Sequence, residues 1–454
     1  MQLYEEINMK RGKLLAFLLS FVLVLILVPC YSFAEGDDVV AKIGEKTYSS
    51  LQQAFDAAPD GVKTTIVLEK DIEVNNTIVL SDSKDVIFDM NGKKITVTSE
   101  FAGRPIRNNG TMLIEGNGTI DSSMSDLGGY GAVDNYGTLI INNGIFTGSV
   151  NASGASIKNR PDCTVTINGG VFNGAVTALY NEGKAYIYNG TFDCRSCSSC
   201  NPDSWGYTIQ SHQNSDGGSP ELYFYNGTVI GVQGAFSTSA GYSEIWDGSF
   251  TTVPCENHPA GNTAFYALYI AGESGEVESN IYGGTFESAT RVAAFIGNSN
   301  DGGQKKEAIA NFYGGTFIAG KGATETIHVD DALGGLEITG GTYMLSDKTS
   351  YDVSEYFPED SEYSQNEDGS VMHNHKSAAV HYKRNEPTCT SDGNTEYWYC
   401  KICDKYFSDE NCSNEIIREE TVIAKLAHNY ENGKCTVCGA ADPDYKPDSS
   451  AQTG

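Results

Sequence analysis

Basic residues are scarce: 30 Lys and Arg stand against 59 Asp and Glu, for a formal charge of −29. Nucleic acid and anionic membrane surfaces both reward cations, so neither is expected as a partner. Proline is scarce too, at 12 residues, and no G-X-Y period accompanies the 50 glycines, which excludes collagen. No second long apolar run follows residue 28, so no membrane span is expected once the N-terminal segment is removed. What the chain does have is a 40% hydrophobic fraction with 26 Tyr and 19 Phe, too rich for a disordered polymer. High glycine, high aromatic content and an acidic balance suit a solvated, turn-rich β protein.

The N-terminal segment predicts export. Leu14 to Val28 is a 15-residue apolar run behind Lys10, Arg11 and Lys13, and Ser32-Phe33-Ala34 offers small residues for cleavage after Ala34. An uncleaved anchor and a lipidated Cys30 behind Pro29 are the alternatives.

The main signal is a repeated turn: INNGIF, INGGVF, IYNGTF, FYNGTV, IWDGSF, IYGGTF, FYGGTF and ITGGTY between residues 141 and 343. Its index glycines are Gly144, Gly170, Gly190, Gly227, Gly248, Gly284, Gly315 and Gly341, with Gly92 and Gly118 as two earlier units at the same 26-residue spacing. An apolar residue lies three before each of the eight glycines and another two after it, in the alternation of short strands. Asn-Gly, Asp-Gly or Gly-Gly supplies turn residues that tolerate positive φ. A base period of 20 to 26 residues is too short for a propeller blade or a helix pair and fits one coil of a parallel β-helix. Ten such coils would stack on the order of 50 Å high.

An open solenoid end needs a cap. Leu51, Ala54, Phe55 and Ala58 fall on one helical face behind Ser49-Ser50, and TTIVLEKDIEVNNTIVL (64–80) reads as the first strands. This helical entry, DMNGKKI and the x-GGTF coils resemble the right-handed β-helices of the pectate-lyase-like superfamily. More narrowly, they resemble the glycine-rich surface proteins of that fold in Gram-positive bacteria. The reading is therefore all-β: a right-handed parallel β-helix of about ten coils over 35–348, capped at 35–62.

Enzymes of the resembled family act on acidic or neutral polysaccharides, with carboxylates holding Ca²⁺ beside an Arg or Lys base in lyases, or paired Asp in hydrolases. Their WIDH, RxPxxR, NTD and GHG patterns are absent here; Arg104-Pro105-Ile106-Arg107 is only a superficial echo. The resemblance leaves room for Ca²⁺, but the sequence offers no ligand set for it. The one dense polar cluster, Glu325, His328, Asp330 and Asp331, lies a coil after Arg291, and reads first as solvated turn residues and second as a catalytic group. A second pattern is the residue two before the index glycine: Tyr188, Tyr225, Trp246, Tyr282 and Tyr313 in successive coils. Alternation points these rings outward, as a ladder that shields the turn or as a stacking platform for a glycan. Cys163, Cys194, Cys197, Cys200, Cys255, His212 and His258 sit in or near long insertions and suggest disulfides or a surface metal site.

After Tyr343 the repeat stops. Residues 349–372 are acidic and polar and read as a linker or exit segment. Over 373–440, CKICDK (400–405) and CTVCGA (435–440) form two Cys-x₂-Cys knuckles 31 residues apart, followed by Asp404 and Gly439. This part resembles a small H…C…CxxC, zinc-ribbon-like module appended to Gram-positive surface proteins. One Zn²⁺ could take Cys400, Cys403, Cys435 and Cys438. Alternatively, His375, Cys389, Cys400 and Cys403 form one site, and His428, Cys435 and Cys438, with Cys412 as a candidate fourth ligand, form another; disulfides are the third reading. The metal would be structural, since so small a segment needs a staple. Residues 441–454 read as a disordered tail, whose final AQTG resembles part of a wall-sorting signal without its Leu-Pro, apolar stretch or basic end.

The expected function is a secreted or cell-surface, non-catalytic, adhesin-like glycan-binding monomer. The alternative is a polysaccharide lyase or hydrolase of the same fold acting on plant or host polysaccharide.

Overall fold

A computed structural model describes residues 39–124, 131–149, 154–195, 206–213, 218–254, 266–298, 306–330, 333–359 and 363–446. The signal segment, Cys197, Cys200, Cys255, His258, Asp331 and the final AQTG lie outside the described residues.

The repeat becomes three parallel sheets wound into one parallel β-helix. They hold 11, 11 and 10 parallel strands, each sheet joining every third strand along the chain, and an antiparallel hairpin adds two strands at the edge of the first. The chain thus passes through the first, second and third face in turn and steps up one coil. Thr64–Leu68, Ile72–Val74 and Ile78–Leu80 are the three strands of the first coil. The 10-stranded sheet sets ten complete coils, and Gly334–Ile338 with Thr342–Met344 begin an eleventh.

The predicted register holds over the eight glycine turns. Ile141, Ile167, Ile187, Phe224, Ile245, Ile281, Phe312 and Ile338 pair in one unbroken ladder on the first face. All eight side chains are fully buried. Two residues after each glycine, on the second face, Phe146, Phe172 and Phe192 stack at 5.2 and 4.8 Å. The same column resumes with Phe250, Phe286, Phe317 and Tyr343 at 4.7, 4.8 and 5.1 Å. Coils repeat at the ~4.8 Å strand spacing, which is also a good ring-stacking distance, so one geometry satisfies both backbone and core.

Gly227 shows why the turn demands glycine. Its φ is 146°, and a Cβ there would come 2.8 Å from the carbonyl oxygen of Gly190 in the preceding coil. The two earliest units differ from the expected pattern. Thr119 pairs with Lys94, so the ladder equivalent of Gly118 is Lys93 rather than Gly92. The first turns are longer, and Gly92 with Asn91 forms a separate left-handed corner.

The third face carries a feature that the glycine pattern does not reveal. Asn108, Asn135, Asn159 and Asn181 are fully buried, one per coil. Each amide donates to the next, at 2.8, 2.7 and 2.8 Å. Each also donates to a backbone carbonyl at the corner of the following coil, as Asn159 does to Lys184 at 3.2 Å. The ladder passes to Ser211 and Thr238 and gives way to Ile270. Asn159→Ala should cost about 3 kcal/mol, because it takes one hydrogen bond each from Asn135 and Asn181 and another from the Lys184 carbonyl in a dry core, and leaves a cavity there. Urea unfolding reads this directly, and a change below about 0.5 kcal/mol would show the ladder to be incidental.

Both ends are closed. The helix Leu51–Ala57 begins at Ser50, whose hydroxyl accepts from the Gln53 N–H at 3.2 Å, and it buries Leu51, Ala54 and Phe55. The antiparallel hairpin Ala41–Ile43 and Lys46–Tyr48 covers the first coil's edge. At the other end, the segment expected to be a linker packs on the last coil. Val353 is fully buried, and Tyr351, Tyr356, Phe357 and Tyr363 lie against the core. These apolar residues are interspersed among acidic ones, which hides them in the composition. No described helix is long and apolar enough to cross a membrane.

Candidate functional site

The outward rings form one file, as alternation requires. Tyr188, Tyr225, Trp246, Tyr282 and Tyr313 follow one another at 4.8, 6.4, 4.2 and 5.0 Å, with interplanar angles of 5 to 20°. Their faces therefore cover one another and their edges point to solvent. This corrects the simple picture of a row of free stacking faces: at coil spacing, neighbouring rings are each other's best partners. Tyr188 and Tyr313, at the ends, remain 46% and 45% exposed. Glu244 ties the file to Tyr242 on the same stretch of chain, accepting from Trp246 Nε1 at 3.0 Å and Tyr242 Oη at 2.6 Å.

Arg291, Glu325 and His328 come together in a cavity of about 340 Å³, with Tyr266 and Phe295 in its wall. Arg291 lies in the turn entering the strand Ala294–Gly297; His328 is the outward residue of Ile327–Val329, one coil later. His328 stacks on Phe295 at 5.4 Å, and Phe295 on Tyr266 at 5.1 Å. Nδ1 of His328 lies 2.9 Å from Glu325 Oε1. The cavity thus offers a guanidinium, an imidazole–carboxylate pair and an aromatic wall. Asp330, named with this cluster from sequence, is not among the lining residues; its backbone instead turns the chain, its N–H donating to the Ile296 carbonyl at 2.8 Å.

Two of the insertion cysteines have other environments. Cys194 faces the core, fully buried, and burial pushes its thiol up to about 12. It cannot serve a surface metal site there. Cys163 is half-buried and bonds the Pro161 carbonyl at 3.3 Å.

The C-terminal segment builds two metal-ligating groups. The first is His373, His375, Cys400 and Cys403; the second is Cys389, His428, Cys435 and Cys438; within each, the ligand atoms lie within 4.8 Å of one another. Each knuckle is a hairpin corner of the same design. The N–H four residues after the first cysteine returns to that cysteine's carbonyl, from Asp404 at 3.0 Å and Gly439 at 2.9 Å. Both residues have left-handed φ, 60° and 75°. That turns both sulfurs of a knuckle to one side.

The two knuckles belong to different groups, so a single four-cysteine site is not formed. Cys389, expected beside Cys400, joins the second group instead. Gly393–Asn394 pairs with Val422–Ile423, which carries Cys389 toward His428 and away from the first knuckle. His373 takes its place, a ligand the sequence reading missed although His-x-His ahead of a knuckle was a visible signal. Cys412 packs beside Cys400 and Phe407 and enters neither group.

Spacing suits a metal, whereas the thiols differ in how readily they ionise: burial pushes Cys403 up to about 11. Cys389 and Cys435 sulfurs are 3.8 Å apart, close to the roughly 3.8 Å edge of a tetrahedron with ~2.3 Å metal–sulfur bonds. The Cys438 N–H and His428 hold the Cys435 thiol down to about 5, while hydrogen bonding with Cys438 pushes Cys389 up to about 11. Burial lowers His373 and His375, toward the neutral form that ligates. Thiolate with imidazole suits zinc-class ions rather than Ca²⁺, which takes all-oxygen sets. All eight described cysteines are unpaired thiols.

No family model, no curated protein and no solved structure matches this chain. The class the geometry defines is a parallel β-helix with a C-terminal Cys/His segment able to hold metal.

Proposed function

We propose that this chain is an exported glycan-binding protein of the cell surface, with the ligand seated in the Arg291 cavity and two structural Zn²⁺ ions in the C-terminal segment. The observation that carries the glycan reading is the joint placement of Tyr266 and Phe295 with Arg291, Glu325 and His328 around about 340 Å³. Phe295, buried between Tyr266 and His328, backs the wall, so the partly exposed Tyr266 and His328 rings are the ones that meet a sugar, and a guanidinium answers a carboxylate or sulfate. The edge-on Tyr file, with Tyr188 and Tyr313 at its ends, offers hydroxyls to a longer chain lying along the coils. Binding by solvent-exposed loops on a rigid coil stack suits an adhesin.

A glycan array followed by calorimetry tests this. Arg291→Ala is expected to weaken an acidic oligosaccharide about tenfold, near 1.4 kcal/mol, with neutral sugars much less affected. Equal losses for acidic and neutral ligands, or no binding at all, would sink the assignment.

The His328–Glu325 pair beside Arg291 favours one second reading, elimination on a uronan with His328 as base. Unsaturated product from polygalacturonate, absent in His328→Ala, would replace the binding reading by that one.

A further inference from the structure

The two metal groups draw their ligands from different places. All four of the second come from within the C-terminal segment, from Cys389 to Cys438. The first is divided. Cys400 and Cys403 stand on the hairpin of Tyr397–Cys400 and Lys405–Phe407. His373 is instead the last residue of the strand Val371–His373, and His375 follows it by two.

That strand belongs to the cap of the coil stack. It pairs with Tyr363–Gln365, and Ser370 bridges to Thr342 in the eleventh coil. The Val371 N–H donates to the carbonyl of Gly341, the last index glycine, at 2.8 Å. The Tyr343 N–H, from the last ring of the core column, donates to Gly369 at 3.1 Å. Val371 itself is buried in the same continuous core as the coils. Two residues beyond it, His373 Nε2 lies 3.1 Å from Cys400 Sγ, and His375 Nδ1 lies 3.6 Å from Cys403 Sγ.

We infer that the first metal centre is a clamp: the ion joins the cap strand of the β-helix to the C-terminal segment, whereas the second ion only folds that segment. The clamp rests on the zinc reading above. The physical reason is the small size of the cap hairpin, three residues a strand, which is marginal alone. A four-coordinate ion fixes the two imidazoles relative to the two thiolates, and so holds the strand end that would otherwise fray. Loss of the ion then opens the stack at its C-terminal end, where an exposed edge of parallel strands would be a template for unwanted pairing.

The test uses the full chain, kept reduced and reconstituted with Zn²⁺. Cys403→Ser removes a ligand of the first group and Cys438→Ser one of the second. Metal content and amide hydrogen exchange are read together. Wild type should hold two ions per chain and each variant one. Cys403→Ser should speed exchange at Val371 and Tyr343 at least tenfold, whereas Cys438→Ser should leave them as in wild type. Protection at Val165 and Ile187, deep in the coils, reports that the stack itself is folded in both. His373→Gln, which leaves the knuckle intact, should reproduce the effect of Cys403→Ser. Two ions in wild type with cap exchange unchanged in Cys403→Ser and His373→Gln would overturn the clamp and keep the zinc reading. Equal loosening by Cys438→Ser would also overturn it. No bound metal in wild type would remove both.

Discussion

Ile281→Asp is expected to destabilise the coil stack by about 5 kcal/mol or more. Ile281 is fully buried between Ile245 and Phe312 in the first-face ladder. The change removes a buried aliphatic side chain, worth roughly 2–5 kcal/mol, and leaves a carboxyl with no partner in an apolar column. The acid must either ionise there or bind a proton, and both are unfavourable. A matched control lies one coil away. Ile309, on the outward side of the next strand, is 45% exposed, and Ile309→Asp should change stability by less than about 0.5 kcal/mol. Thermal unfolding and amide exchange over the eighth to tenth coils check the pair. Similar effects at the two positions would mean that the inward register is wrong, and the outward ring file with it.

Chelation of the metal is expected to unfold residues 374–440 and leave the central coils intact. Among the described residues of that segment, the buried apolar set is four cysteines, Cys389, Cys400, Cys412 and Cys435, with Phe407. Such a core cannot offset chain entropy, whereas a structural zinc contributes an apparent ~10–16 kcal/mol at neutral pH. The coils are held by stacking on their neighbours, and neither metal-ligating group found among the described residues lies within them, so their far-ultraviolet β signal should persist. A free-thiol count before and after chelator, alongside circular dichroism, decides the matter. Zinc with thiols that appear on chelation supports the assignment. Thiols that appear only with reductant would show a disulfide-stapled segment instead. Acid should mimic the chelator, because protons compete for Cys and His ligands and metal affinity falls with pH.

Much of the fold was legible because it is local and repeated. Ile141, Gly144 and Phe146 recur as a set, and each member has its own reason to be where it is: an inward position, a left-handed turn, an inward ring. Where a turn gained a residue, as between Phe88 and Lys94, the spacing misled, and Gly92 was placed one step from its true ladder position. The Asn108–Asn181 ladder has intervals as regular as those of the glycines. It went unread because an asparagine near a turn, two residues after an aliphatic one as in Ile157-Lys158-Asn159, is ordinary, and only burial makes it a structural element. The outward direction of Tyr188 and its successors followed from alternation. That their faces would cover one another followed from the coil spacing, which the sequence does not state.

The C-terminal segment divides the same way. A Cys-x₂-Cys corner is a local object, so both knuckles could be found by spacing, and their left-handed Asp404 and Gly439 with them. A knuckle is only half of a site. Its other half comes from residues far along the chain, and strand pairing chooses which. Gly393–Asn394 against Val422–Ile423 sent Cys389 to the second knuckle; the cap strand on the eleventh coil delivered His373 to the first. The sequence by itself therefore determined the β-helix, its register and the presence of two metal-ligating corners, because each is written in residues within one turn of each other. Only the tertiary structure decided which ligands share an ion, which rings keep a free face and that Arg291 meets His328, because those are distances between coils and not along the chain.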